Sequence, residues 1–163
     1  MRVSLDAATP ADIPVLLTLI GELAEFERLG HEVVVTAAGL QESLFGPRPG
    51  VETVVARVDG EVAGFALYFH NFSTFLGRRG LYLEDLYVRP AFRGQGVGRE
   101  LLLYLARLAA ARDCGRMEWS VLNWNRRAVS FYESLGARPV NDWTVYRLDR
   151  AALDAIQTAP PGG

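Results

Sequence analysis

A mixed α/β fold built on one central sheet, its first part mostly antiparallel and its later part containing a parallel strand pair, is expected on three grounds. Residues 51–58 and 61–72 are apolar, strand-like runs joined by Asp59-Gly60, the dipeptide suited to a two-residue hairpin turn. The sequence RGQGVG at 93–98 follows another strand-like run, LYLEDLYV at 81–88, and opens a long amphipathic stretch. Met117–Leu122 then reads as a strand reached through that helix, so it is expected to run parallel to 81–88 in a right-handed crossover.

The remaining elements follow in order. Residues 2–7 read as a short strand. Thr9, Pro10 and Asp12 signal a helix start, and Ile13, Leu16, Leu17, Ile20, Leu23, Ala24 and Phe26 continue at helical spacing to about Leu29, ahead of Gly30. A shorter helix is expected over Thr36–Phe45, ended by Pro47, Pro49 and Gly50. Asn71–Gly80 reads as a loop. After the glycine turn, Leu101, Leu102, Leu105, Leu108 and Ala109 mark a helix to about Asp113. Another helix is expected from about Arg126 to Leu135, stopped by Gly136, and Val140–Leu148 is expected to supply a last strand. One domain over 1–157 with a disordered tail at 158–163 is the expected organisation.

Composition excludes several functions. Seventeen basic and 19 acidic groups give a net charge of -2 in 163 residues, which supplies no basic field for a nucleic acid partner. No apolar run approaches the length that crosses a bilayer and no signal pattern opens the chain, so a cytoplasmic location without a membrane partner is expected. The single cysteine, Cys114, permits neither an internal disulfide nor a multi-thiolate metal site, and neither His31 nor His70 has metal-ligand spacing, so no metal is expected.

The glycine-rich turn is the first chemical signal. At the start of a helix, unpaired N–H groups and the helix dipole converge on one point where an anionic oxygen fits, and glycine at 94, 96 and 98 leaves room for a pyrophosphate to approach the backbone. A P-loop would need Lys then Ser or Thr after the last glycine, whereas Arg99 and Glu100 follow Gly98. A dinucleotide fold would need GxGxxG early in a βαβ unit. Here the pattern is GxGxG in mid-chain, after antiparallel strands, although Glu118 stands at a suggestive distance.

Arg93, Gly96 and Gly98 meet the Arg/Gln-x-x-Gly-x-Gly/Ala signature of the GCN5-related N-acetyltransferase (GNAT) superfamily, which the chain resembles. ELAEFERL at 22–29, STFLGRRGLYLEDLYVRPAFRGQGVG at 73–98 and VLNWNRRAVSFYESLGA at 121–137 are similar to the spermidine/spermine N-acetyltransferase group, and within it to the thialysine N-acetyltransferase branch. The resemblance implies the GNAT acyl-CoA N-acyltransferase fold, a sheet splayed between 81–88 and 117–122 with acetyl-CoA as co-substrate in the gap. It places backbone groups of Leu86, Tyr87 and Val88 on the pantetheine arm. Around the pyrophosphate it places Arg93, Gly94, Gln95, Gly96, Val97, Gly98 and Arg99, and it puts Asn125, Arg126, Arg127 and Ala128 on the CoA side.

Acetyl transfer to an amine needs a neutral nitrogen, yet an alkylamine with a pKa of about 10.4 is almost wholly protonated at pH 7. Glu84 and Asp85 are adjacent on a strand, so alternation sends them to opposite faces and leaves one to face a pocket. The resemblance selects Glu84 as substrate-side carboxylate and base. It selects Tyr132, in N-x-x-A-x-x-F-Y, as the acid that meets the departing thiolate; a phenol near 10 donating to a thiol near 8.5 is slightly uphill, so hydrogen bonding carries much of that role. Phe26, Glu27, Glu118, Trp119 and Ser120 are expected on the acceptor side. No GxSxG is present and Cys114 reads as a small packed thiol, so direct attack in a ternary complex is expected. Polyamine-acetylating members carry an aspartate and a tryptophan where this chain has Ser73 and Phe75, which favours a thialysine-like or lysine-like amino acid or a small diamine. The resemblance also implies a homodimer paired through Trp143–Leu148. A protein N-terminal or lysine acetyltransferase, and an acetyl-CoA-binding module without catalysis, are the alternatives.

Overall fold

The computed structural model describes residues 1–162. The chain forms two compact units, one spanning Met1–Leu122 and the other beginning at Asn123.

The first unit holds a five-stranded sheet in the order β1-β2-β3-β4-β5. Its strands are β1 (Val3–Ala7), β2 (Glu52–Val58), β3 (Glu61–Ser73), β4 (Arg78–Val88) and β5 (Met117–Trp119). The first four pair antiparallel, and β5 lies parallel to β4. Asp59 and Gly60 both take positive φ, 50° and 87°, as the Asp-Gly hairpin turn requires. The expected loop at 71–80 shrinks to four residues, because β3 and β4 pair out to Ser73↔Arg78. Ser73 is buried and its Oγ accepts from the Leu76 N–H at 3.2 Å, so this side chain serves the turn.

A 3-10 turn at Pro10–Asp12 leads into α1 (Ile13–Phe26), and α2 (Ala37–Phe45) is capped by Thr36, whose side chain accepts from Gly39 N–H at 3.0 Å. Ile13, Leu16 and Leu19 of α1 and Leu40 and Leu44 of α2 pack with Val55, Phe65 and Tyr87 of the sheet in one buried cluster. The three-residue spacing on α1 and the four-residue spacing on α2 put each set on one helix face. A separate set, Val97, Leu101, Leu102, Leu105 and Ala109, buries α3 (Val97–Ala111), which packs on β4, β3 and β2.

The second unit contains α4 (Arg126–Ser134) and α5 (Arg150–Thr158). The strand expected over Val140–Leu148 does not form: a strand exists only by pairing, and among the described residues this segment has no partner strand. Helix α5 was not anticipated. Asp149 caps it, accepting from Ala152 N–H at 2.9 Å, and Arg150 pairs with Asp154 across one turn at 2.7 Å.

Candidate acetyl-transfer site

Two features of β4 create the first half of the site. Its pairing with β5 covers only Leu81↔Met117, Tyr82↔Glu118 and Leu83↔Trp119, so from Glu84 to Val88 this edge of β4 has no β5 partner. Its pairing with β3 slips at the same place, where Leu67 faces Asp85 while Tyr68 faces Leu83. Glu84 is therefore the extra residue of a β-bulge, an irregularity that re-aims side chains beside functional sites. The bulge interrupts the strict alternation on which the opposite-face reading of Glu84 and Asp85 rests.

The consequence is electrostatic. Glu84 is exposed and Asp85 is partly buried. Burial pushes the Asp85 carboxyl up to about 6, with further contributions from the charges of Glu84 and Glu27. Glu27, which follows the last turn of α1, is also raised, by burial first and by Glu84 second. Three carboxylates thus share one neighbourhood, and a cationic group placed among them would relieve their mutual repulsion. Sequence reasoning named Glu27 and Glu84 and missed Asp85, since the bulge that brings the pair together leaves no mark in the sequence.

Beyond Val88 the chain turns through Pro90–Phe92 into the glycine segment. Gly94 and Gly96 have φ of 75° and 83°, a left-handed backbone that costs most side chains strain, and Gly96 is the N-cap of α3. Gly98 has no such need. A Cβ there would lie 3.7 Å from Val88 Cγ2 and 3.8 Å from Leu86 Cδ2, ordinary contact. Its missing side chain leaves a shallow space between the start of α3 and the open edge of β4. The turn can therefore take a phosphate against its N–H groups, and the neighbouring strand edge offers backbone that β5 leaves unpaired to an amide-bearing arm, which fits acetyl-CoA. Gln95 and Arg99 are exposed, and Val97 is buried under the turn. Gln95 reaches the Ala91 carbonyl at 3.3 Å. The signature arginine is engaged inside the protein, its Nε donating to the Val88 carbonyl at 2.8 Å.

Of the expected acceptor residues on β5 and after it, Glu118 pairs with Arg116 at 2.9 Å, Trp119 is partly buried, and Ser120 shares a 3.0 Å hydrogen bond with the Tyr82 hydroxyl. In the second unit, Asn125 caps α4 by accepting from Ala128 N–H at 3.3 Å. Arg126 and Arg127 are exposed on its first turn, while Tyr132 is partly buried one turn beyond Ala128 with its ring centroid 5.5 Å from that of Phe131.

The Acetyltransferase (GNAT) family model matches residues 21–137, well over half of the chain and from α1 through α4. The chain belongs to the GNAT family. As a GNAT protein it is an acetyltransferase, and the family's acetyl donor is acetyl-CoA. It is 34% identical to the L-ornithine N5-acetyltransferase of Arabidopsis thaliana, over 91% of this chain and 85% of that protein. It is 36% identical to the thialysine N-epsilon-acetyltransferase of Bos taurus, over 90% of this chain and 92% of that one. Among solved structures, an integron cassette protein from the mobile metagenome of V. cholerae superposes with a TM-score of 0.81 at 26% identity, covering 98% of this chain and 99% of that one. The expected GNAT fold, with its parallel pair opening at Leu83, is the fold observed. Among the described residues, no group of three or more His, Cys, Asp or Glu side chains could hold a metal ion, and no helix is long and apolar enough to cross a membrane.

Proposed function

We propose that this GNAT enzyme acetylates the side-chain amine of an ornithine-like or lysine-like amino acid, or a small diamine. The observation that carries this reading is the bulge at Glu84, which gathers Glu27, Glu84 and Asp85 beside the strand edge open to the donor. An amine reaches the site as a cation, and three carboxylates attract it, desolvate it together and accept its proton. Two relatives named for ornithine and thialysine acetylation, at 34% and 36% identity over about nine-tenths of the chain, support the amino acid class. Ser73 at the hairpin turn and a fully exposed Phe75, where polyamine-acetylating members carry Asp and Trp, support it over spermidine or spermine.

Acetyl-CoA supplies an activated acyl group with a thiolate leaving group. The chain's own part is to hold the pyrophosphate on the N–H groups of Gly94–Arg99, to line up the arm along Leu86, Tyr87 and Val88, and to take the amine proton on Glu84 directly or through water. Asp85, raised to about 6, is a second acceptor of suitable strength. Tyr132 hydrogen-bonds or protonates the departing thiolate. Asn125, Arg126, Arg127 and Ala128 attend the CoA side, and Glu118, Trp119 and Ser120 the amine side. Competition between ornithine, thialysine and N-terminal peptides, read by mass spectrometry of the acetylated products, tests the class. Acetylated amino acid is expected in excess; acetylated peptide in excess would reverse the assignment.

The protein is also proposed to be a cytoplasmic homodimer. No described residue from Asn123 onward is buried, and Trp143, Val145 and Tyr146 are 79%, 82% and 93% exposed in a segment with no strand partner. Apolar exposure of that kind marks an interaction surface. Light scattering at micromolar concentration is expected to give twice the chain mass, and a monomer would contradict the pairing.

A further inference from the structure

One set of contacts ties the acceptor-side helix to the donor-side turn. The Arg93 guanidinium carbon lies 4.9 Å from the centroid of the Phe26 ring and 5.6 Å from that of Tyr87. Its Nε holds the Val88 carbonyl at 2.8 Å. One helical turn before Phe26, Glu22 accepts from the Tyr87 hydroxyl at 3.3 Å and from Arg89 Nε and Nη2 at 3.2 and 3.0 Å. Arg89 in turn donates to the Val62 carbonyl at 3.3 Å. The last two turns of α1 are therefore fastened to the end of β4 and to the first residue of the glycine turn.

We propose that Phe26 is a positioning residue for the acetyl-CoA turn, acting through Arg93, rather than a contact of the acceptor amine. The inference rests on the reading of Gly94–Arg99 as the pyrophosphate site. The ring lies against a guanidinium that is already committed to the Val88 carbonyl, the point where β4 leaves the sheet. A planar cation held over an aromatic face loses side-chain freedom, and the carbonyl it grips is held with it. The turn is thereby kept in the shape the phosphate meets, so less order has to be imposed on binding.

The test measures acetyl-CoA affinity by titration calorimetry without amine, alongside KM for each substrate. Phe26→Leu, which removes the π face and keeps apolar bulk, is expected to weaken acetyl-CoA about fivefold, the equivalent of one exposed cation–π contact. The amine KM stays unchanged, and Phe26→Trp restores the affinity. Arg93→Lys, which keeps the charge but loses the planar fork, gives a defect to which Phe26→Leu adds little. A raised amine KM with unchanged acetyl-CoA affinity in Phe26→Leu would overturn the proposal, as would full additivity with Arg93→Lys. Wild-type protein that binds no acetyl-CoA would overturn the turn assignment itself, a separate result visible before any variant is made.

Discussion

Asp85 is a carboxyl that the fold holds at a cost. Its value rises from 3.8 to about 6, chiefly through burial and then through Glu84 and Glu27. At 1.36 kcal/mol for each tenfold change, ionised Asp85 lowers stability by about 3 kcal/mol above pH 7. The sign follows from proton binding. Between about pH 4 and pH 6 the folded chain keeps a proton that the unfolded chain has lost, so the contribution of Asp85 to stability falls as pH rises through that window and stays low above it. Asp85→Asn copies the neutral acid at every pH. Relative to wild type it is expected to gain about 2 to 3 kcal/mol of stability between pH 4 and pH 8, or about 5 to 10 °C in Tm for a chain of this size. Urea or thermal unfolding of both proteins across that range reads the effect. A constant difference, or one that shrinks as pH rises, would refute the burial and repulsion assigned to this residue.

Other expectations concern the turn and the core. Gly98→Ala, whose Cβ meets only ordinary contacts, is expected to retain acetyl-CoA binding, whereas Gly98→Leu fills the space beside Val88 and Leu86 and abolishes it in calorimetry without lowering Tm by more than a few degrees. Gly96→Ala forces a side chain into a φ of 83° and is expected to cost about 1 to 2 kcal/mol in urea unfolding. Phe65 is fully buried in the cluster under α1 and α2, so Phe65→Ala is expected to cost about 3 to 5 kcal/mol in the same assay.

The parts of this molecule that were legible in the sequence are those set by local chemistry. Asp59-Gly60 dictates its turn by itself, and the α3 stripe from Val97 to Ala109 dictates a helix with one buried face. The glycines at 94, 96 and 98 mark a strand-to-helix turn by type alone, and at 94 and 96 the backbone takes a positive φ. What stayed hidden depends on pairing. The Glu84 bulge arises from how β3 and β4 register over their full length, so the ED pair alone pointed to a single pocket-facing acid. Val140–Leu148 has apolar residues suited to a strand, but among the described residues it pairs with no strand. The α5 signals, a capping Asp149 and an Arg150–Asp154 pair, were present in the sequence, but residues 149–157, between the expected strand and the expected tail, were given no element. Arg93 was legible as a signature residue, whereas its grip on Val88 between two rings is a tertiary fact.

The central claim is transfer of an acetyl group from acetyl-CoA directly to a small amine, with Tyr132 serving the leaving thiolate. Its most direct test is the rate of CoA release with thialysine, lysine, ornithine, putrescine, spermidine, N-terminal peptides and an amine-free control, for wild type and Tyr132→Phe. One small amine is expected to stand out, with no burst of CoA when amine is absent and a loss of about 10² to 10⁴ in rate for Tyr132→Phe. Bound acetyl-CoA with no reactive amine, or a burst of CoA release without one, would contradict it.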